Sequence, residues 1–330
     1  MGMRRRTTNG ALVLIALVLL TYVGPPSRGL AASRAPISAL WEAPTDLSTR
    51  DLFYGPWGAK RAPEPHATYT FLRPKTGGVN RGVIVRDPQG RVWHVKQQTD
   101  SSRGSEGPVE VALSRVLSAV GYHQPPVYFL PSFTMVDDHG KHLESGGRFR
   151  LDESTLQDRG EWDLANNPFV GTQPYQGLMV ILFLFNSWDL KSSNNTVYEV
   201  RRPDRTEQWY VVRDLGGALG GTGRFFVKRN NIDKFEQQTW IRGVSGDTVE
   251  FDYGGKKRGL AHGITIANVG WTCELLSRLS DRQWQDAFRA GGYPPDLANR
   301  FIKKLRANVN EGLQIANRGA NPSYRKADRG

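Results

Sequence analysis

The stretch Trp188-Asp189-Leu190-Lys191-Ser192-Ser193-Asn194 decides how the rest of the chain is read. It puts a carboxylate and, five positions later, a side-chain amide on one polar loop. Transfer of a phosphoryl group to a hydroxyl needs a carboxylate beside the acceptor oxygen and hard oxygen ligands for magnesium close by. Asp189 suits the first task and Asn194 the second, and Lys191 can reach the charge on the transferring group. A further carboxylate, Asp214, stands in Arg213-Asp214-Leu215-Gly216-Gly217. Between the two motifs, strands over Thr196 to Val200 and Trp209 to Val212 flank a polar turn from Arg201 to Glu207. Asn194 and Asp214 each lie ten residues from Asp204 in that turn. Antiparallel strands of equal length bring their outer ends together, so these two residues are expected to be neighbours. Taken singly, either aspartate is as well explained as a cap or turn residue. The spacing and the hairpin symmetry together favour a metal-binding site.

Upstream, the pattern is that of a small sheet. Val83 to Val85 and Val92 to Val95 flank Asp87-Pro88-Gln89-Gly90, which has Pro and Gly where a type I turn takes them. Lys96 ends this hairpin. A helix follows, with Ser105 as N-cap, Pro108 in the first turn, and Val109, Ala112, Leu113, Val116, Leu117 and Val120 at helical spacing up to Gly121. Val127 to Leu130 and Phe133 to Val136 read as strands, and Phe149 to Leu151 as a weaker one. Beyond, Tyr175 to Phe185 reads as a fully buried helix. Trp271 to Leu279, Asp281 to Ala290 and Pro295 to Leu313 read as amphipathic helices. No internal repeat appears.

The segment Trp188 to Asn194 resembles a protein-kinase catalytic loop, and Asp214-Leu215-Gly216 resembles the metal-binding Asp-Phe-Gly motif. The chain departs from ordinary protein kinases in having Ser187 for the usual histidine, Leu215 for phenylalanine, and no Ala-Pro-Glu motif. Those departures resemble the atypical branches: HipA-like, phosphatidylinositol-kinase-like and secretory-pathway kinases. The opening from Leu40-Trp41-Glu42 through Asp51 to Gly55, with Gly121-Tyr122, looks like an uncharacterised group of exported bacterial kinase-like proteins. The resemblance covers roughly residues 40 to 315, although its sharp motifs are few. It implies an α+β, two-lobed kinase-like fold, with a small antiparallel-sheet N-lobe carrying one helix and a larger, mainly helical C-lobe.

The resemblance also implies roles. Asp189 would be the catalytic base or hydroxyl positioner, Lys191 would neutralise charge, and Asn194 and Asp214 would ligate Mg2+ or Mn2+. Lys96 would contact the α- and β-phosphates of ATP, held by an acid on the following helix. Glu110 is the preferred partner and Glu106 its competitor. Gly77 and Gly78, in Lys75-Thr76-Gly77-Gly78-Val79-Asn80, stand where a phosphate-covering loop belongs, though a plain turn explains them equally well. The expected activity is phosphoryl transfer from ATP to a hydroxyl on a protein, a lipid or a small molecule. The alternatives are an inactive kinase-shaped binding module and a nucleotidyl transferase on the same fold.

Composition bounds the remainder. Arg4, Arg5 and Arg6, the apolar run Ala11 to Val23 and the small residues Ala31-Ala32 read as an export signal over 1–32, or as a retained membrane anchor. A periplasmic or extracellular, monomeric protein is expected, with possible membrane association through 11–23. The net charge is +12, and loss of residues 1–32, which hold four arginines and no acid, leaves +8. That excess fits a phosphorylated ligand, but no basic run is interleaved with aromatics as a nucleic-acid site requires. Cys273 is the single cysteine, so there is no internal disulfide and no cysteine-rich zinc site. His139 and His142 read as part of a hairpin tip. The expected layout is 33–68 as an irregular wrapping segment, 69–151 as N-lobe, 152–316 as C-lobe and 317–330 as a flexible tail.

Overall fold

The segment rich in Pro, Gly and Trp that precedes the first strong strand signal binds the two halves of the molecule to each other. In this computed structural model, which describes residues 37–76, 81–97, 105–222 and 227–320, that segment opens with β1 (Ile37–Ala39). It then crosses the first helix, where the Trp41 indole donates to the Val120 carbonyl and Arg50 donates to the carbonyls of Ser118 and Ala119. The leader 1–32, Gly77, Gly78 and the final ten residues lie outside the described residues.

The N-terminal half is a five-stranded barrel built from β2 (Thr68–Pro74), β3 (Gly82–Arg86), β4 (Val92–Gln97), β5 (Val127–Asp137) and β6 (Gly140–Leu151). Pairing runs antiparallel through β2-β3-β4-β6-β5, and a parallel pairing of β2 with β5 closes the ring. Alternate residues fill the interior, chiefly Tyr69, Trp93, Phe133 and Phe149, which meet edge-on or tilted and exclude water. The two strand signals after Gly121 are one strand, β5. The weak signal at Phe149 to Leu151 is the end of the twelve-residue β6, whose first half is polar because it runs exposed. Asp138 and His139 form the tip of this hairpin.

Between β4 and β5 lies α1 (Gly107–Ala119), every residue of which is buried. Its apolar face belongs to the core of the other half and packs in one cluster with α2 (Gln173–Leu184), the helix expected from the run Tyr175 to Phe185. The expected cap of α1 is displaced by one position. Glu106 is the N-cap residue and makes no side-chain cap, because its carboxylate is engaged elsewhere.

The C-terminal half combines helices with a four-stranded sheet in the order β1-β9-β8-β7, where β7 is Leu156–Asp158, β8 Asn195–Arg201 and β9 Thr206–Val212. Two short hairpins follow, β10 (Gly221–Thr222) with β11 (Val227–Lys228) and, after α3 (Ile232–Glu236), β12 (Ile241–Ser245) with β13 (Thr248–Phe251). Reciprocal capping boxes, Thr265 with Asn268 and Ser280 with Gln283, start α4 (Ile266–Ser277) and α5 (Asp281–Ala290). The last helix, α6 (Pro295–Ala320), runs past Asn317, where a frayed tail was expected. Its apolar positions keep helical phase well beyond Leu313, and Gly319 passes close to Ile266 at the start of α4. Among the described residues no helix is long and apolar enough to cross a membrane.

His123, just after α1, stacks flat on Trp209 of β9 at 4.3 Å. Burial pushes its imidazole pKa down to about 4, with Glu207 raising it and Arg202 lowering it by smaller amounts. A depressed histidine pKa means that the unfolded chain binds more protons between that value and about 6.5. The stabilising share of neutral His123 is therefore complete above about pH 6.5 and is lost as pH falls towards 4. Urea unfolding at pH 7 and pH 5 should show a smaller loss of stability for His123→Phe than for the wild type. Equal losses would contradict this assignment.

Candidate active site

Lys96, next to last in β4, points its side chain out of the barrel into a cluster of acids. Its ammonium lies 2.5 Å from Glu106, 3.3 Å from Glu110 and 3.2 Å from Asp214, and the lysine is only 5% exposed. Glu110, one turn into α1, is shared with Arg148 of β6 at 2.8 Å. Arg148 is the register partner of Lys96 in the ladder. Two cations directly opposite each other in a sheet repel; the Glu110 carboxylate between them makes the pairing tolerable. Glu106 in turn forms an ion pair with Arg229. Both candidate acids therefore reach Lys96, and the choice between them dissolves.

Close backbone approach makes room for this cluster. A Cβ on Gly147 would come within 2.9 Å of the Gln97 Cα, and one on Gly216 within 2.7 Å of the Glu106 Cβ. Gly147 lets β6 press against the end of β4, and Gly216 lets the chain after Asp214 pass beneath the start of α1. Lys75, beside the barrel mouth, has its ammonium pKa lowered by burial first and then by the nearby charges of Arg148 and Lys96.

The β8–β9 hairpin delivers Asp214 to this point. Asn195 pairs with Val212 and Arg201 with Thr206, half a residue from the symmetry expected about Asp204. The Asp214 N–H donates to the Asn194 carbonyl at 3.0 Å, so the two residues are backbone neighbours. The Asp214 carboxylate accepts from the Gly216 N–H at 3.3 Å and faces Lys96 with both oxygens. Burial pushes its pKa up, but the Lys96 charge and hydrogen bond outweigh burial and hold it below the ordinary carboxylate value.

Asp189 sits on the same loop, before the 3-10 turn Ser192–Asn194. Its carboxylate meets Lys191 at 3.2 Å and Lys256 at 2.6 Å, and it accepts from the Asn194 amide at 3.3 Å. Burial again pushes its pKa up, and the bonds from Lys256, Lys191 and Asn194 bring it below the usual range. The loop is tied to the post-Asp214 segment by the Trp188 N–H, which donates to the Gly217 carbonyl at 3.0 Å. Lys96, Glu110 and Asp214 thus meet in one ion cluster, and the loop that holds Asp189, Lys191 and Asn194 adjoins it through the bond from the Asp214 N–H to the Asn194 carbonyl. Gly77 and Gly78 lie outside the described residues.

Magnesium is commonly held by one or two carboxylates plus substrate phosphates, with water completing the octahedron. The donors here fit that habit. Asp214 presents two carboxylate oxygens, and Asn194 donates only through its Nδ2, which leaves its amide oxygen for a metal. Among the described residues there is no group of three His, Cys, Asp or Glu side chains that could hold a metal. His139 and His142 belong to the exposed hairpin tip.

The sequence reading missed Arg148, Arg229 and Lys256. Arg148 directly precedes the predicted strand Phe149 to Leu151, and pairing that strand with the one ending at Lys96 would have exposed it. Arg229 and Lys256 carry no local signal, since both come from irregular connections placed by tertiary packing.

No family model and no curated protein matches the chain. Solved structures show distant likenesses. The Helicobacter pylori proinflammatory kinase CtkA is 12% identical, with a TM-score of 0.40, over 77% of this chain and 98% of its own. Hydra Fam20 with sugar is 10% identical, with a TM-score of 0.39, over 77% and 88%. The Golgi casein kinase with Mn/ADP bound is 11% identical, with a TM-score of 0.37, over 78% and 75%. Likenesses this distant leave the functional assignment to the geometry of the cleft.

Removing one partner of a buried charge group leaves the others uncompensated, at about 3–5 kcal/mol. Glu110→Ala should therefore destabilise the protein by about that amount in urea unfolding, because Lys96 and Arg148 both lose their shared acid. Glu106→Ala should have a smaller effect, since it is the more exposed of the two acids. The reverse order would show that Glu106 is the principal buried partner.

Proposed function

We propose that this chain is a divalent-metal-dependent phosphotransferase that moves the terminal phosphoryl group of ATP to a hydroxyl acceptor. The observation that carries this reading is the bonding of Lys96 to both oxygens of Asp214, while the Asp214 backbone is bonded to Asn194 on the Asp189 loop. Few structural roles call for a strand lysine, a hairpin-end acid and a loop amide to converge in this way. A solvated turn would need none of them.

Each group has a task in that reaction. Lys96, held by Glu106 and Glu110, binds the α- and β-phosphates. Asp214 and Asn194 would hold a magnesium ion, which would supply neutralisation of the phosphate charge. The acceptor hydroxyl donates its hydrogen bond to the Asp189 carboxylate, which is ionised at neutral pH. Lys191 faces the charge that spreads over the equatorial oxygens as the phosphoryl group transfers. Such transfers depend mainly on positioning and charge stabilisation. An exported setting for this activity is supported by Arg4 to Arg6, the apolar run to Val23 and Ala31-Ala32.

Purified protein with γ-labelled or α-labelled ATP and Mg2+ or Mn2+ tests the reading. The acceptors are the chain itself, a degenerate serine/threonine peptide mixture, phosphatidylinositol vesicles and free sugars. Transfer of γ-label supports it, transfer of α-label shows a nucleotidyl transferase, and binding without transfer shows an inactive module. Asp214→Ala should lower transfer by about 10²–10³-fold, the scale on which removal of one charge-stabilising group acts. It should stay folded, because Lys96 keeps Glu106 and Glu110 as partners. Undiminished transfer in that variant contradicts the assignment.

A further inference from the structure

We propose that Lys256 is a positioning residue of the Asp189 carboxylate, and that the segment 253–257 is a structural half of the catalytic loop. This inference rests on the phosphotransferase reading and extends it to a part of the chain outside the loop motif. Among the described residues, Lys256 makes the shortest polar contact to the Asp189 carboxylate, with its ammonium 2.6 Å from Oδ1. Lys191 and Asn194 both take the other oxygen, Oδ2, at 3.2 and 3.3 Å. An ionised carboxylate offers about four acceptor positions. Three are filled from three directions, which fixes the plane of the carboxylate and leaves one position for the acceptor hydroxyl.

The lysine is itself fixed. Its backbone N–H donates to the Trp188 carbonyl at 2.8 Å, and its ammonium lies 5.6 Å from the centre of the Trp188 ring. The Tyr253 hydroxyl lies 2.9 Å from the Ser187 carbonyl and 3.0 Å from the Lys256 carbonyl, joining the two segments. Gly255 has to be glycine here, because an added Cβ would come within 2.7 Å of the Trp188 Cα. Lys257 adopts a left-handed φ of 55° and forms an ion pair with Asp163, which also accepts from the Ser192 hydroxyl at 2.6 Å. A non-glycine residue in that region is strained and persists where its surroundings hold it. The segment thus grips residues 187, 188, 189 and 192 in turn. A surface lysine present for solubility would need none of these contacts.

The lysine is 55% exposed, so as a stability element it contributes little. Its role as a positioner is different in size. Misplacing a reacting group by about 1 Å costs on the order of 10²-fold in rate.

The test measures kcat and the KM for ATP with γ-labelled ATP, Mg2+ and whichever of the four acceptor preparations the wild type labels. Lys256→Met should lose at least about tenfold in kcat, with its KM for ATP and its melting temperature unchanged. Lys256→Arg should recover most of the loss, since a cation is again available at Oδ1. Gly255→Ala, which pushes the segment away from Trp188, should lose kcat in the same direction. Wild-type kcat in Lys256→Met overturns the inference, as does a loss that arginine does not restore and that follows a fall in melting temperature. Absence of transfer by the wild type overturns this inference and the phosphotransferase reading together. A fully active Lys256→Met overturns this inference alone.

Discussion

The ammonium of Lys96 is the group on which the structure turns. A lysine buried without partners would be costly, and here three carboxylates from two stretches of chain answer it: Glu106 and Glu110 at the start of α1, and Asp214. Arg148 and Arg229 balance two of those acids from the opposite side. Among the described residues the cluster thus joins three cations and three anions. It draws on the barrel, the first turn of α1, the end of the β8–β9 hairpin and the connection after β11. None of these elements can shift without uncovering a buried charge.

The same arrangement separates folding from chemistry. Glu110 and Arg148 are nearly inaccessible and act as a structural brace, with α1 wedged between them and the core of the helical half. Asp214 is different, because its side chain is 40% exposed and opens into the cleft. Lys96 lies at the junction, with one side braced and the other facing the site. A charge fixed in this way needs little reorganisation when a polyanion arrives, and that is the condition under which electrostatic stabilisation is most effective.

Much of this was legible in the sequence. Asn194 and Asp214 could be paired because a hairpin's symmetry is a local property, and the structure departs from it by half a residue. The run Tyr175 to Phe185 had one reading, a buried helix, since no polar face interrupts it. The barrel's closure was not legible. A parallel joint between β2 and β5 leaves no turn between them to recognise, and β6 is too polar in its exposed half to announce twelve residues of strand. Glu106 read as the competitor of Glu110 for Lys96, and both carboxylates lie against it. Lys256 was invisible. It lies 67 residues from Asp189, on a stretch whose only local marks are glycines and basic residues.

The central claim is spatial: one divalent cation sits between a loop amide and the acid at position 214, opposite the barrel lysine. Anomalous diffraction from crystals grown with Mn2+ and a non-hydrolysable ATP analogue measures that directly. The account predicts a manganese peak within coordination distance of both the Asp214 carboxylate and the Asn194 side chain, with the analogue's α- or β-phosphate against the Lys96 ammonium. A peak away from both residues, or a nucleotide bound without contact to Lys96, would contradict it.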